Sequence, residues 1–173
     1  LLLGASLLPA GPCGAEDIRL DALGVRAGTN QGTVKRGADL ERYELYANLG
    51  LPWSWEVVSN WNLGTRLNAS GGALTGEGET GFIGTLGPSV TLGRERGRII
   101  LDIGVGIALL SNDTFGTHDF GGPFQFTADI GITALLLRHV GVGYRFQHMS
   151  DATIYGSDGR GMDSHILELS YRF

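Results

Sequence analysis

Eight segments of the chain alternate between apolar and polar residues with a period of two. That period places successive side chains on opposite faces of a β-strand, and no segment keeps the 3.6-residue period of a helix. The predicted strands are 18–27, 40–49, 55–66, 80–92, 98–109, 124–135, 140–149 and 163–173. The pattern therefore predicts an all-β protein.

The predicted connections alternate in length along the chain. Long ones rich in Gly, Asn, Asp and Thr are 28–39, 67–79, 110–123 and 150–162, whereas 50–54, 93–97 and 136–139 are short. Long loops on one rim and short turns on the other are typical of outer-membrane barrels, and strands of about ten residues can cross a bilayer when tilted. We predict an eight-stranded antiparallel transmembrane β-barrel of the outer membrane, with both chain ends at the periplasmic rim.

Charged residues share one face of these strands and apolar residues share the other. Opposite charges can pair inside a narrow lumen, whereas each charge would cost a few kcal/mol on the lipid face. We therefore expect the lumen to contain Arg42, Glu44, Glu56, Arg66, Asp102, Asp129, Arg145, Glu168 and Arg172. A soluble closed barrel of the lipocalin kind, with the apolar face around a ligand, is the open alternative.

Residues 1–15 have the apolar and small residues of a signal-peptide remnant, so we expect a single barrel domain over 16–173. A lipoprotein anchor at Cys13 is the competing interpretation. The net charge is −5, without a run of Lys or Arg, which argues against a nucleic-acid partner. The 29 glycines are typical of closely packed, curved strands.

The last predicted hairpin places reactive side chains on its apolar face. His148 and Ser150 are two residues apart, and Asp163 has the parity to lie across from His148. Phe146 then lies across from His165, at the roughly 5 Å Cβ separation of cross-strand neighbours. Ser150 as nucleophile, His148 as general base and Asp163 as the residue that orients the imidazole form a candidate acyl-transfer triad. Strand parity places this hairpin tip at the outer leaflet, where lipopolysaccharide lies.

The segment Arg-Phe-Gln-His-Met-Ser-Asp-Ala at 145–152, followed by a Gly-containing loop and an acidic residue, resembles the lipid A 3-O-deacylases (PagL-like, often labelled acyloxyacyl hydrolases). The stretch Gly121–Phe126 is similar to that family as well. The resemblance implies an eight-stranded outer-membrane barrel with the His, Ser and acid on its exterior. It also implies an esterase whose substrate is lipid A of lipopolysaccharide and whose surroundings are outer-membrane lipids. Such a triad requires no metal and no organic cofactor.

Two positions depart from the family pattern, since Asp163 matches the usual Glu and Asp151 the usual Asn. An Asn amide can donate to an oxyanion, whereas an ionised Asp only accepts, so backbone amides around Asp151 and Ala152 would have to stabilise the oxyanion. Asp151 as a solvated rim residue is the alternative. His165 is interpreted as rim packing, with a lipid-interface or substrate contact as the alternative. His118, Asp119 and His139, which lie in connections, have no zinc-ligand spacing.

The rival function is a non-catalytic small barrel for adhesion or envelope integrity, in which the same rim residues are merely polar. A homodimer is compatible with the sequence, which does not decide the oligomeric state.

Overall fold

The computed structural model describes residues 17–30, 38–58, 60–94, 98–156 and 160–173, and the predicted signal-peptide remnant 1–15, with Cys13, lies outside them. The strands are β1 (Arg19–Thr29), β2 (Leu40–Val58), β3 (Trp61–Gly76), β4 (Glu79–Arg94), β5 (Ile99–Leu110), β6 (Thr114–Phe115), β7 (His118–Asp119), β8 (Phe124–Leu135), β9 (Val140–Ser150) and β10 (Met162–Arg172). No helix in these ranges is long and apolar enough to span a membrane.

Eight of these strands close into one antiparallel barrel in the order β1-β10-β9-β8-β5-β4-β3-β2, which confirms the predicted fold class. The closing contact is the antiparallel pairing of β1 with β10. The short strands β6 and β7 pair only with each other, in the loop between β5 and β8. Both described chain ends lie at the rim with the short turns. We call it the periplasmic rim and the opposite one the extracellular rim, following the rule for such barrels.

The outward face of the barrel is apolar. Leu45, Ile103 and Leu167 are 69%, 63% and 66% exposed, although each is a large hydrophobic residue. Exposed apolar patches of this extent are not stable in water and require lipid contact. This orientation contradicts the lipocalin-like alternative, whose apolar face would line the interior, and it is the arrangement of an outer-membrane β-barrel.

The middle of the lumen holds the expected opposite charges. Arg145 donates to Glu168 at 2.8 Å and to Asp102 at 2.6 Å, and it also contacts Asp129. A second buried cluster consists of Arg26, Arg42 and Glu44. Because the pairs are buried and bonded, each charge has a partner that offsets the cost of removing it from water.

The lumen becomes apolar at the extracellular rim. A buried cluster, which we call the apolar plug, consists of Ala38, Leu40, Leu74, Ile83, Ala108, Leu110, Phe115, Phe120, Met149 and Met162. Phe115 and Phe120 come from the loop that carries β6 and β7, and their rings meet edge to face at 6.2 Å. The charge pattern alone did not predict this plug.

The predicted turn at 50–54 and strand at 55–66 are wrong. Strand β2 runs on to Val58, and β3 begins at Trp61 after Asn60, whose φ of 67° is in the left-handed region that Asn tolerates. The register shifts between Leu51 and Ser54 and again between Glu56 and Val58. A bulge at the first shift accommodates Pro52, which cannot donate to a ladder.

The second bulge explains why the sequence pattern was misleading. A two-residue hairpin turn normally reverses the parity of outward positions, whereas one extra residue restores it. Val57 and Trp61 are both exposed, so odd-numbered apolar positions continue outward through the hairpin. A bent pair of strands therefore has the alternation of one straight strand.

The predicted long loop at 67–79 is also wrong, because β3 continues to Gly76 and meets β4 through a two-residue turn. Glu77 and Gly78 have φ values of 50° and 82°, as two-residue hairpin turns require. The small residues before that turn serve strand packing: a Cβ on Gly72 would overlap the carbonyl of Tyr43. Glycine at this position lets β2 and β3 approach closely.

Candidate active site

The β9–β10 hairpin has the predicted register, with Asp163 directly across from His148 and His165 across from Phe146. His148 Nδ1 and Asp163 Oδ1 are 2.6 Å apart, a hydrogen-bond distance. Both side chains lie on the exterior of the barrel, where His148 is 52% and Asp163 27% exposed. The pair therefore stands at the extracellular rim of the lipid-facing surface.

Ser150 is the last residue of β9, half-buried and two residues beyond His148. His148 Cε1 and Ser150 Cβ each lie 3.5 Å from the position that a Cβ would take on Gly161. The two atoms are thus separated by no more than twice that distance. Within the described residues no hydrogen bond joins Ser150 to His148; such bonds are often long in enzymes without substrate and tighten on binding.

The chain turns sharply after Ser150, and Asp151 holds the turn. Its Oδ1 accepts from the Thr153 N–H at 3.0 Å, and its carbonyl accepts from the Ile154 N–H at 3.1 Å. Asp151 is 6% exposed, and its buried Oδ2 has no hydrogen-bond partner among the described residues. Because this side chain is buried, the interpretation of Asp151 as a solvated rim residue is wrong.

Ala152 and Thr153 have φ values of 50° and 65°, so two consecutive non-glycine residues are left-handed. Such residues are uncommon and cluster at sites where the surrounding structure fixes them. Ala152 itself is exposed. The backbone amides next to Ser150 are therefore held in one defined arrangement by the Asp151 turn.

The loop that joins Ser150 to Asp163 is docked against the loop between β5 and β8. The Arg160 N–H donates to the Asp119 carbonyl at 2.8 Å, and the Arg160 guanidinium donates to the Thr117 carbonyl at 3.2 Å. A Cβ on Gly122 would meet the ring of Tyr155 at 2.5 Å, so glycine there leaves room for the ring. The sequence did not predict these long-range contacts.

The apolar plug lies directly behind the site. Met149 and Met162 are paired across β9 and β10, face the lumen, and are 0% and 1% exposed. Met149 lies between His148 and Ser150 in the sequence, and Met162 precedes Asp163. Packing on the inward face therefore restrains the backbone that carries all three outward side chains. The two methionines occupy inward-facing positions of β9 and β10, so the alternation of the sequence could have predicted this packing.

The outward residues beside the site are mostly apolar. Phe126 pairs with Ser150 and is 42% exposed, and Ala128 pairs with His148. Below them, the Tyr144 hydroxyl and His165 Nδ1 are 2.6 Å apart, and the His165 ring packs 5.4 Å from that of Phe146. This contact agrees with the interpretation of His165 as rim packing.

The other histidines lie away from the triad. His118 is 2% exposed and packs against Phe120 at 4.5 Å. Burial lowers the pKa of His118, and the charge of Arg160 lowers it further. His139 lies at the periplasmic rim, where its ring stacks on Tyr171 at 5.3 Å. No group of three or more His, Cys, Asp or Glu residues in the described ranges could hold a metal ion.

The chain is similar to known proteins of one family. The family model described as lipid A 3-O-deacylase (PagL) matches residues 41–172. The lipid A deacylase PagL of Bordetella bronchiseptica is 32% identical over 76 residues, which cover 44% of this chain and 42% of that protein. The match therefore spans less than half the length of this curated relative. The crystal structure of the outer membrane enzyme PagL superposes with a TM-score of 0.73 at 22% identity, covering 88% of this chain and 99% of that one.

Proposed function

Because the chain belongs to the lipid A 3-O-deacylase (PagL) family, we propose that it is an outer-membrane esterase that removes an acyl chain from lipid A of lipopolysaccharide. The bond that it hydrolyses is the ester at the 3-O position. The reaction needs water as co-substrate and releases a fatty acid and a free sugar hydroxyl. The catalytic residues in this proposal are Ser150, His148 and Asp163.

One observation supports the proposal above the others: an imidazole and a carboxylate 2.6 Å apart lie on the lipid-facing side of the barrel. A polar pair on this surface is costly in hydrocarbon, so it belongs where lipid meets water. At this rim the pair would meet the ester groups of outer-leaflet lipids. The bilayer would then hold the substrate beside the site, which is a proximity effect.

In the first half of the reaction, Ser150 Oγ attacks the ester carbonyl carbon while His148 Nε2 takes the hydroxyl proton. The Asp163 carboxylate, bonded to Nδ1, fixes the tautomer that leaves Nε2 as acceptor and stabilises the imidazolium. The tetrahedral intermediate then breaks its bond to the sugar oxygen. That oxygen receives the proton from His148, which leaves an acyl-enzyme on Ser150.

In the second half, His148 takes a proton from a water molecule that enters from the loop side. The resulting hydroxide attacks the acyl carbon, and the bond to Ser150 Oγ breaks. His148 returns the proton to Oγ, and the fatty acid leaves into the bilayer. The cycle consumes one water and restores every protein group.

The oxyanion of each tetrahedral intermediate needs donors, and the backbone amides of the turn at Asp151 and Ala152 are the nearest group held in place. The Asp151 carboxylate accepts rather than donates. Asp151→Asn keeps the acceptor for Thr153, but the new amide N–H takes the place of the buried Oδ2 and does not face the substrate. We therefore expect kcat, measured as fatty acid released per folded barrel, to stay at the wild-type value; a several-fold rise would contradict the assignment of the oxyanion to backbone amides.

The acyl chains of the substrate need an apolar surface next to the site. An open groove of about 710 Å³ runs along the outer faces of β10, β1 and β2. Its floor includes Ala27, and Tyr43 and Leu167 stand on either side in the register. Leu167 is the next outward residue below His165 and thus continues the face that carries Asp163. Hydrocarbon from the substrate can lie there without leaving the membrane plane.

The test is the mass spectrum of lipid A from cells that express the protein. The wild type is expected to give lipid A lighter by one acyl group, whereas Ser150→Ala and His148→Ala leave lipid A unchanged. Ser164→Ala is the matched control, because Ser164 lies next to Asp163 but is 1% exposed on the lumen side. Unchanged lipid A with well-folded wild-type barrel would contradict the proposal and favour the non-catalytic barrel.

A further inference from the structure

Gly161 lies just before β10, beside His148 and Ser150. We propose that Gly161 is a positioning residue: because it has no side chain, the start of β10 can pack against the peptide that links Met149 to Ser150 at the end of β9. This role rests on the proposed function, since it concerns the geometry of the same nucleophile and base. The role depends on the absence of a side chain at position 161, not on a backbone conformation that only glycine adopts.

This role is supported by what a Cβ atom at position 161 would contact. A Cβ on Gly161 would lie 2.7 Å from the Met149 carbonyl oxygen, closer than the 3.0 Å below which real Cβ atoms essentially never come. The same Cβ would lie 3.5 Å from both His148 Cε1 and Ser150 Cβ. A side chain at position 161 would therefore press on the peptide that leads into Ser150 and touch both the proposed base and the proposed nucleophile.

Backbone conformation does not explain the glycine. The glycines with positive φ in the described chain are Gly78, Gly116, Gly121 and Gly156, and Gly161 is not among them. An alanine could adopt the backbone conformation of position 161 without strain. What an alanine could not do is keep its Cβ away from the Met149 carbonyl.

The Met149 carbonyl oxygen is a backbone atom, so it cannot move aside as the end of a flexible side chain would. The Met149 carbonyl belongs to the peptide that leads into Ser150, and the Met149 side chain is fixed in the apolar plug. A shift of a few tenths of an ångström would therefore move Ser150 relative to His148. Misplacement of a reacting group by about 1 Å can cost on the order of a hundredfold in rate.

The experiment compares Gly161→Ala with Gly93→Ala in the purified full-length barrel. Gly93 lies at the periplasmic rim, and a Cβ there would meet Ile100 at an ordinary 3.5 Å. Fatty-acid release from lipid A in mixed micelles gives kcat and KM, and labelling of Ser150 by a phosphonate serine probe gives nucleophile reactivity. Rates are expressed per folded barrel, counted by heat-dependent gel migration.

We expect Gly161→Ala to lower kcat about tenfold or more with KM unchanged, and to slow labelling of Ser150 in parallel. Gly93→Ala should behave as the wild type does. Wild-type kcat in Gly161→Ala, a change confined to KM, equal losses in both glycine variants, or failure of Gly161→Ala alone to fold would each overturn the positioning role. Ser150→Ala in the same series separates the two ideas: if it remains active, the proposed function itself fails.

Discussion

Replacing Asp163 by Asn is the perturbation whose size can be worked out most fully. The Asp163 carboxylate lies 2.6 Å from His148 Nδ1, and in the proposed mechanism it is the charge that faces the imidazolium. Asp163→Asn keeps the volume and one oxygen acceptor but removes the charge. We expect a lower kcat/KM with little change in the stability of the barrel.

The magnitude follows from the electrostatics of a partly exposed pair. Two unit charges about 4 Å apart interact by about 4 kcal/mol at an effective dielectric constant of 20 and by about 1 kcal/mol in water. Since His148 is 52% and Asp163 27% exposed, solvent screening favours a value of about 2 kcal/mol. At about 1.4 kcal/mol per factor of ten, kcat/KM should fall roughly thirtyfold. An Asn amide that turned its N–H toward Nδ1 would lower it further.

The assay is fatty-acid release from lipid A in mixed micelles, measured per folded barrel. Glu79→Gln is the matched control, because Glu79 is exposed at the extracellular end of β4, where it accepts from the Asn112 side-chain amide at 3.5 Å. It removes the same charge at the same rim, away from the site and from the groove beside it. An Asp163→Asn variant that keeps full activity, or a Glu79→Gln variant that loses as much, would refute the reasoning.

Three further predictions concern the parts of the barrel that support the site. Met149→Ala should cost about 2–5 kcal/mol of stability by opening a cavity in the apolar plug, whereas Leu167→Ala on the lipid face should cost far less; thermal unfolding followed by gel migration compares them. Arg145→Leu should destabilise by about 3–5 kcal/mol, because three buried carboxylates lose their cation, and an unchanged unfolding midpoint would contradict this. Because the pKa of His118 is lowered from 6.5, its stabilising effect on the loop is present above pH 6.5 and is lost as the pH falls below it. Limited proteolysis of residues 111–123 should therefore quicken on acidification in the wild type but not in His118→Leu.

The barrel and its last hairpin could be predicted because both depend on local parity. Alternation fixes which side chains share a face, and a one-residue slip in register would move every apolar side chain to the wrong side. Val142, Tyr144 and Phe146 align with the apolar outward residues of β10 in only one register. His148 and Asp163 were therefore placed across from each other by the apolar residues below them.

The first half of the barrel was harder to predict because two of its features hide where strands end and turns begin. The bulge at Val57 preserves alternation through a turn, so the bend between β2 and β3 leaves no trace in the pattern. Ser70, Gly71 and Gly72 have the composition of a loop, but the glycines allow close strand contact and the Ser70 hydroxyl donates to Glu44. Composition does not distinguish these two uses of small residues.

The contacts that fix the site depend on residues far apart in the chain. The packing of Tyr155 over Gly122 and of Phe115 into the plug requires that two loops meet above the lumen. Nothing in the local pattern of either loop specifies its partner. The candidate triad was therefore predictable as a set of residues, whereas the loop contacts around it were not.

The most direct test of the account is to trap the acyl-enzyme. Folded barrel is mixed with lipid A, quenched in acid within the first turnovers, digested and analysed by mass spectrometry. The account predicts a peptide containing Ser150 that is heavier by one acyl group, absent in Ser150→Ala and in His148→Ala. An acyl group found on another residue, or steady turnover of lipid A by the Ser150→Ala barrel, would contradict it.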